Sequence, residues 1–362
     1  MMPILTLMVF VRGGSFGSPV DCGAMLVGVD ARALTARRGV ARYTRRMVEA
    51  LAALDGVGVR ALVPGREPLD PPLAGAVQVV RTRAPSRVVH AAGAVAGFPR
   101  VDTLLGADVD VTWLPAPAPV AAGDPYVLTI HDLSWEDRPQ DFTRYERVWH
   151  GVARPRALAR RARIVVCDAP AVAEEVSARW GVAARVVEPG VDAPPPAAAL
   201  AAVPARAKPY ILFVGALEPR KGLDVLAAAW ARAALSGTEL VVVGAGREAV
   251  AGAVGLGHVS DSELHALYAG AEAVVLPSHL EGFGLPPREA AAHGTPAIVS
   301  DIPTLRLPGT LRFPPGDAGA LADALRRLGA ERARLVAELP PRRTWTDAAR
   351  DLRAILAEAA GP

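Results

Sequence analysis

Residues Tyr210–Trp230 read YILFV, then GALEPRKG, then LDVLAAAW. Five consecutive apolar residues ending at a glycine fit a strand buried on both faces, because a parallel strand covered by helices shows no polar alternation. The polar turn closes on Gly222, and Leu223, Leu226, Ala227 and Trp230 then recur at the spacing of one helix face. Strand, short polar turn and helix make one step of a parallel α/β sheet.

The same alternation extends in both directions and predicts parallel strands joined by right-handed helical crossovers. Towards the C terminus the predicted strands are Glu239 to Val243, Ala273 to Leu276 and Ala297 to Val299. Towards the N terminus they are Leu26 to Val29, Arg60 to Val63, Val77 to Arg81, Val109 to Trp113, Tyr126 to Ile130, Ile164 to Cys167 and Arg185 to Val187, with helices over Val40 to Leu54 and Val172 to Trp180. Prolines and alanines from Asp192 to Pro209 break both periodicities and read as an extended, semi-rigid connection.

The expected organisation is an N-terminal Rossmann-like domain over residues 25–192, a linker over 193–209, a second Rossmann-like domain over 210–340 and a helical segment over 341–362. Met25 opens the first strand, whereas residues 1–24 show no helix or strand periodicity, so they are expected to be an extension ahead of the natural start. Open α/β sheets bind ligands beyond the carboxyl ends of their strands. Two doubly wound sheets facing across a cleft are therefore expected to hold a substrate between them.

Composition narrows the function. The 362 residues are 51% hydrophobic and 21% charged, with 40 basic against 37 acidic residues and a net charge of +3, which suits soluble globular domains and gives no reason to expect nucleic acid. Only Lys208 and Lys221 are lysines, so a lysine inside a motif carries more information than an arginine does. Cys22 and Cys167 form neither a disulfide framework nor a metal-ligand spacing, which fits a reducing, cytoplasmic location. The apolar run Ile4 to Val11 is far shorter than the roughly 20 residues of a membrane span. No His/Cys cluster with zinc spacing and no Walker-type loop occurs, so no metal and no P-loop chemistry is expected.

The densest chemistry lies in His279–Asp301, HLEGFGLPPREAAAHGTPAIVSD. A loop containing Glu281, Gly282, Phe283 and Gly284 runs into a helix opened by Pro286 and carrying Glu289. Carboxylates beside backbone N–H groups suit a ligand with both hydroxyls and phosphates, although a glutamate near a helix start also serves the macrodipole. Arg220 and Lys221 stand in the turn after the strand ending at Gly215, where adjacent cations are placed to bind a diphosphate.

In the N-terminal half, Gly39 lies in the turn before a helix and could approach phosphate or acceptor. His131 follows the strand Tyr126 to Ile130 beside Asp132; it either hydrogen-bonds a substrate oxygen or anchors its loop. Arginines crowd positions 37–46 and 154–163, read most simply as solvated helix faces and more sharply as a contact with anionic lipid or a phosphate-bearing acceptor. A competing pattern, LVVVGAGREA, gives G-x-G-x-x-A after a strand with Asp261 and Glu263 loosely spaced for a ribose; it reads as a tight turn near a nucleotide and not as an NAD site.

Together GVDARAL, RGVARYTRRMVEAL, TIHDLSW, YILFVGALEPRKGL, the stretch HVSDSELHALYAGAEAVVLPSHLEGFGLPPREAAAHGTPAIVSD and RTWTDAARDLRAIL resemble the retaining GT-B glycosyltransferases of family 4, especially bacterial mannosyltransferase-like members. The resemblance implies that Glu289 holds the donor ribose, Glu281 contacts the transferred sugar, and Arg220 and Lys221 bind the diphosphate. It also implies that His131 reaches the donor sugar, that Gly39 lies near phosphate or acceptor, and that a helix around Trp345 to Ala359 crosses back to the N-terminal domain. Three positions depart from the family pattern: Ala216 in place of an arginine after Gly215, a shortened loop after Val299, and Arg288 in place of an apolar residue.

The expected function is transfer of a hexose, with mannose favoured, from a GDP- or UDP-linked donor to a saccharide or lipid-linked acceptor. No cofactor or metal is required, and peripheral membrane contact would run through the N-terminal domain. The alternatives are an inactive nucleotide-sugar-binding scaffold and an NAD(P)-dependent oxidoreductase.

Overall fold

The computed structural model describes residues 24–35, 39–65, 68–74, 76–82, 92–94, 96–105, 109–203 and 205–361. The expectations for residues 1–23, with Cys22, and for Arg37 and Arg38 lie outside the described residues.

The chain divides into two compact units. The first holds residues up to Trp135, then Phe142–Pro189 and Trp345–Pro362; the second holds Glu136–Asp141 and Gly190–Thr344.

The first unit is built on a seven-stranded sheet: β1 (Met25–Asp30), β2 (Val57–Pro64), β3 (Val77–Thr82), β4 (Val111–Leu114), β5 (Tyr126–Ile130), β6 (Ile164–Cys167) and β7 (Ala184–Val186). Its order is β3-β2-β1-β4-β5-β6-β7, and every pair is parallel. The central strands β4 and β5 are buried throughout, so apolar residues dominate both and Thr112 and Thr129 are buried among them. The helices Gly39–Ala52 and Trp345–Ala360 cover one face, and Met47, Leu51, Leu352 and Leu356 join Val27, Val29, Val111 and Trp113 in one core. The C-terminal helix thus belongs to the core of the first unit, although it follows the second unit in sequence.

The second unit has six strands: β8 (Tyr210–Val214), β9 (Glu239–Val243), β10 (Val254–Gly257), β11 (Ala273–Leu276), β12 (Ala297–Ser300) and β13 (Thr310–Phe313). They run parallel in the order β10-β9-β8-β11-β12-β13. This is the doubly wound 3-2-1-4-5-6 arrangement, in which the strand order reverses between the first and fourth strands and opens a crevice at their carboxyl ends. Here those strands are β8 and β11.

Two expectations change. Residues 193–209 are not an extended connection throughout, because the alanine run Ala197–Ala201 forms a short helix capped by Pro196 and the whole stretch is grouped with the second unit. Alanine's helix propensity outweighs the surrounding prolines, one of which suits the helix entrance. Gly39 is not a turn residue but the first residue of the Gly39–Ala52 helix. Among the described residues, no helix is long and apolar enough to cross a membrane.

Candidate functional site

In the second unit, β8 ends at Val214 and the chain turns through Pro219–Lys221 into the helix Leu223–Ala233. Gly222 makes this possible: its φ is +65°, and a Cβ there would collide with the Pro277 carbonyl just beyond β11. The turn is therefore pressed against the segment following β11, and the His279 N–H donates to the Arg220 carbonyl at 2.9 Å. Arg220, Lys221 and Glu281 are brought together at the carboxyl ends of the two switch-point strands.

Lys221 Nζ donates to Glu281 Oε1, and Ser278 Oγ donates to the same oxygen at 2.6 Å. The two charged side chains are 10% and 8% exposed, so this is a buried ion pair and not the solvated cation that a turn lysine suggests. Burial alone would raise the Glu281 carboxyl, but Lys221 and then Arg220, with hydrogen bonds from Lys221 and Ser278, hold it below the usual glutamate value. Thr304 Oγ1 donates to the Glu281 carbonyl at 2.8 Å and fixes the loop from the β12 side. Arg220 Nε donates to Glu218 Oε2 at 3.2 Å and stays partly exposed.

After Glu281 the loop holds buried Gly282, Phe283 and Gly284 before the helix Leu285–Ala292. Gly284 sits at φ +75°, a left-handed conformation that favours glycine, with the Leu305 side chain packed against it. The Arg288 guanidinium lies 3.8 Å from the centre of the Phe283 ring, a cation–π contact that accounts for an arginine where the family pattern has an apolar residue.

Glu289 is buried, and its Oε2 accepts from Tyr268 Oη at 2.6 Å. Tyr268 belongs to the helix Asp261–Gly270, whose His265 adds a second tie: His293 Nδ1 must donate to the Glu289 carbonyl at 2.8 Å, leaving Nε2 to accept from His265 Nδ1 at 2.8 Å. Burial, the largest influence, depresses the His293 pKa and favours this neutral form.

The glycines of VVVGAGREA serve backbone packing. Side chains on Gly244 or Gly246 would collide with Gly215 and Leu217, and no helix follows, since β10 begins at Val254. A dinucleotide fingerprint needs that helix to receive the pyrophosphate. Glu263 is likewise spoken for, in a capping box with Ser260. Gly215 lies in ordinary contact with the Phe213 ring and has no such constraint.

In the first unit, His131 follows β5 and Asp168 follows β6. These strands pair with Ile130 opposite Cys167, so the next residues are neighbours, and His131 Nδ1 lies 2.6 Å from Asp168 Oδ2. Asp132 instead caps the short helix Ser134–Asp137, accepting from the Ser134 N–H and hydroxyl. Gly39 has no described atom within 4 Å of where its Cβ would stand, so packing does not require a glycine there.

Residues 208–331 match the family described as Glycosyl transferases group 1, and residues 37–194 match Glycosyltransferase Family 4. The chain carries a pair of glycosyltransferase domains. It is 39% identical over 106 residues to glycogen synthase of Mycobacterium tuberculosis, covering 25% of this chain and 26% of that protein. It is 45% identical over 76 residues to the O-antigen chain mannosyltransferase RfbU of Salmonella typhimurium, covering 20% and 22%. The chain thus spans about a quarter of the length of these curated relatives. Sucrose-phosphate synthase from Thermosynechococcus elongatus superposes with a TM-score of 0.68 over 93% of this chain and 96% of that one, at 23% identity, a likeness of fold. The fold is GT-B.

The second glycosyltransferase domain contains Arg220, Lys221, Glu281, Gly282, Phe283, Gly284 and Glu289; the first contains Gly39 and His131. Three polar partners escape a reading by spacing. Ser278 and Tyr268 look like generic strand-end and helix residues, and Asp168 is 37 positions from His131. Only the β5–β6 pairing, with both strands ending at the same level, signals that last contact.

Proposed function

We propose that this chain is a metal-independent, retaining hexosyltransferase, with mannose the first sugar to test, using a GDP- or UDP-linked donor and a saccharide or lipid-linked acceptor. The observation that carries the reading is the buried Lys221–Glu281 pair at the carboxyl ends of β8 and β11, with Arg220 beside it. A protein rarely buries a lysine and a glutamate for stability alone, because desolvation offsets much of their attraction. At a crevice of this kind such a pair presents an ammonium to phosphate oxygens and a carboxylate to sugar hydroxyls. The names of the two curated relatives, a glucan synthase and a mannosyltransferase, support hexosyl transfer.

In this reading Lys221 and Arg220 stabilise the departing nucleoside diphosphate, whose negative charge grows as the anomeric C–O bond breaks. Glu281 accepts from hydroxyls of the transferred sugar, Glu289 from the ribose, and His131 contacts a sugar oxygen. The acceptor oxygen forms the new bond on the face the phosphate leaves, and its proton passes to the departing phosphate oxygen. No side-chain base is then needed. The lipid-linked acceptor and peripheral membrane contact draw support from the helix Arg144–Ala153, which exposes Tyr145 and Val148 beside Arg144 and Arg147.

Calorimetry and turnover with a panel of GDP- and UDP-sugars, with mannosides and lipid-linked saccharides as acceptors, test the proposal. Binding with nucleoside diphosphate release on acceptor addition is the expected result. Binding with no transfer to any acceptor would favour the scaffold alternative.

A further inference from the structure

Ser278 stands just beyond the end of β11 at Leu276, in the segment against which the Lys221 turn is pressed. Its backbone is held on both sides by that turn. The Pro277 carbonyl lies where a side chain on residue 222 would be, and the His279 N–H donates to the Arg220 carbonyl at 2.9 Å. Ser278 is 0% exposed, and its hydroxyl makes one hydrogen bond to a described residue, the 2.6 Å bond to Glu281 Oε1. A fully buried hydroxyl is costly unless it is hydrogen-bonded, and an alanine would fill the same place without that cost. The Glu281 carboxylate is what makes a serine favourable here.

Glu281 takes Lys221 and Ser278 on the same oxygen, while its backbone carbonyl is fixed separately by Thr304. Two donors occupy the lone pairs of Oε1, so further hydrogen bonds fall to Oε2, which accepts none from a described residue. The two donors differ in kind. Lys221 reaches the carboxylate with an ammonium on a four-carbon stem, and phosphate oxygens compete with Glu281 for its charge. Ser278 is short and neutral, and its backbone is anchored on either side. A diphosphate that draws the ammonium away leaves the serine on Oε1.

From this geometry we propose that Ser278 is a positioning residue for the transferase: it holds Glu281 Oε1 while Lys221 turns to the diphosphate, and so keeps Oε2 presented to hydroxyls of the transferred sugar. The inference rests on the transferase reading above and deepens it. Ser278 acts only through Glu281 and touches no substrate atom itself.

The test uses the full chain and the Ser278→Ala, Ser278→Cys, Glu281→Ala and Ser278→Ala/Glu281→Ala variants, each first checked for a native circular dichroism spectrum. Cysteine keeps the volume of the side chain but is a weak donor. Calorimetry with GDP-mannose, UDP-glucose, GDP and UDP should show that Ser278→Ala and Ser278→Cys each lose about tenfold affinity for whichever sugar nucleotide the wild type binds. The matching bare nucleotide should bind as in the wild type, and Ser278→Ala should add nothing in the Glu281→Ala background. Wild-type affinity in either single variant, an equal loss for sugar nucleotide and bare nucleotide, or a further loss in the double variant overturns the proposal and leaves the transferase reading standing. The single variants decide the matter on their own if Glu281→Ala does not fold. A wild-type chain that binds neither sugar nucleotide overturns the transferase reading itself, and this inference with it.

Discussion

Lys221 shows how one side chain can be legible in kind and hidden in circumstance. Its rarity marks it in the sequence, where only two lysines stand among 40 basic residues, but its burial against Glu281 arises from a contact 60 positions away. Removing one partner of such a pair strands the other charge, at a cost of about 3–5 kcal/mol. Lys221→Ala is therefore expected to lower the melting temperature clearly, and adding Glu281→Gln to recover part of the loss. The pH dependence has a definite sign. Because folding lowers the Glu281 pKa, its stabilisation is present above the unfolded glutamate value and disappears as pH falls through the lowered folded one. A Glu281→Gln chain should accordingly show a flatter acid side in its melting-temperature profile than the wild type.

Among the elements, the largely apolar, buried strands were the most readable: β5, β6, β8, β9 and β11 coincide with the strands predicted from the sequence. The strands β10 and β13 escaped because their own residues carry a weak strand signal. VGLG is short, glycine-rich and mostly exposed, and TLRF turns Arg312 outward. The helix Arg144–Ala153 was hidden by its surface, since Ala153 is its one fully buried residue. Gly222 in its turn and Gly39 at its helix start separate fold from function in a measurable way. Gly222→Ala forces a side chain into the left-handed region against the Pro277 carbonyl and should destabilise the chain by about 1–3 kcal/mol. Gly39→Ala meets no described atom, so chemical denaturation should find its stability within about 0.5 kcal/mol of wild type while donor or acceptor affinity falls.

For the whole molecule, the placement of the last helix was legible only through family resemblance, since nothing local says that Trp345–Ala360 belongs with strands that begin at Met25. Its Leu352 is fully buried in the core of the first unit. Leu352→Ala should cost about 2–5 kcal/mol, and hydrogen exchange should accelerate in β1–β7 and leave β8–β13 protected. Lys221 and Glu281 meet because β8 and β11 pair in the sheet although 60 positions separate the two residues, a property of topology that no single motif displays. The most direct test of the account is nucleoside diphosphate release by Lys221→Ala, measured with the sugar donor and acceptor on which the wild type is most active. A loss of about a hundredfold or more in turnover is predicted; a variant that transfers sugar as fast as the wild type would contradict the assignment of this lysine to the leaving group.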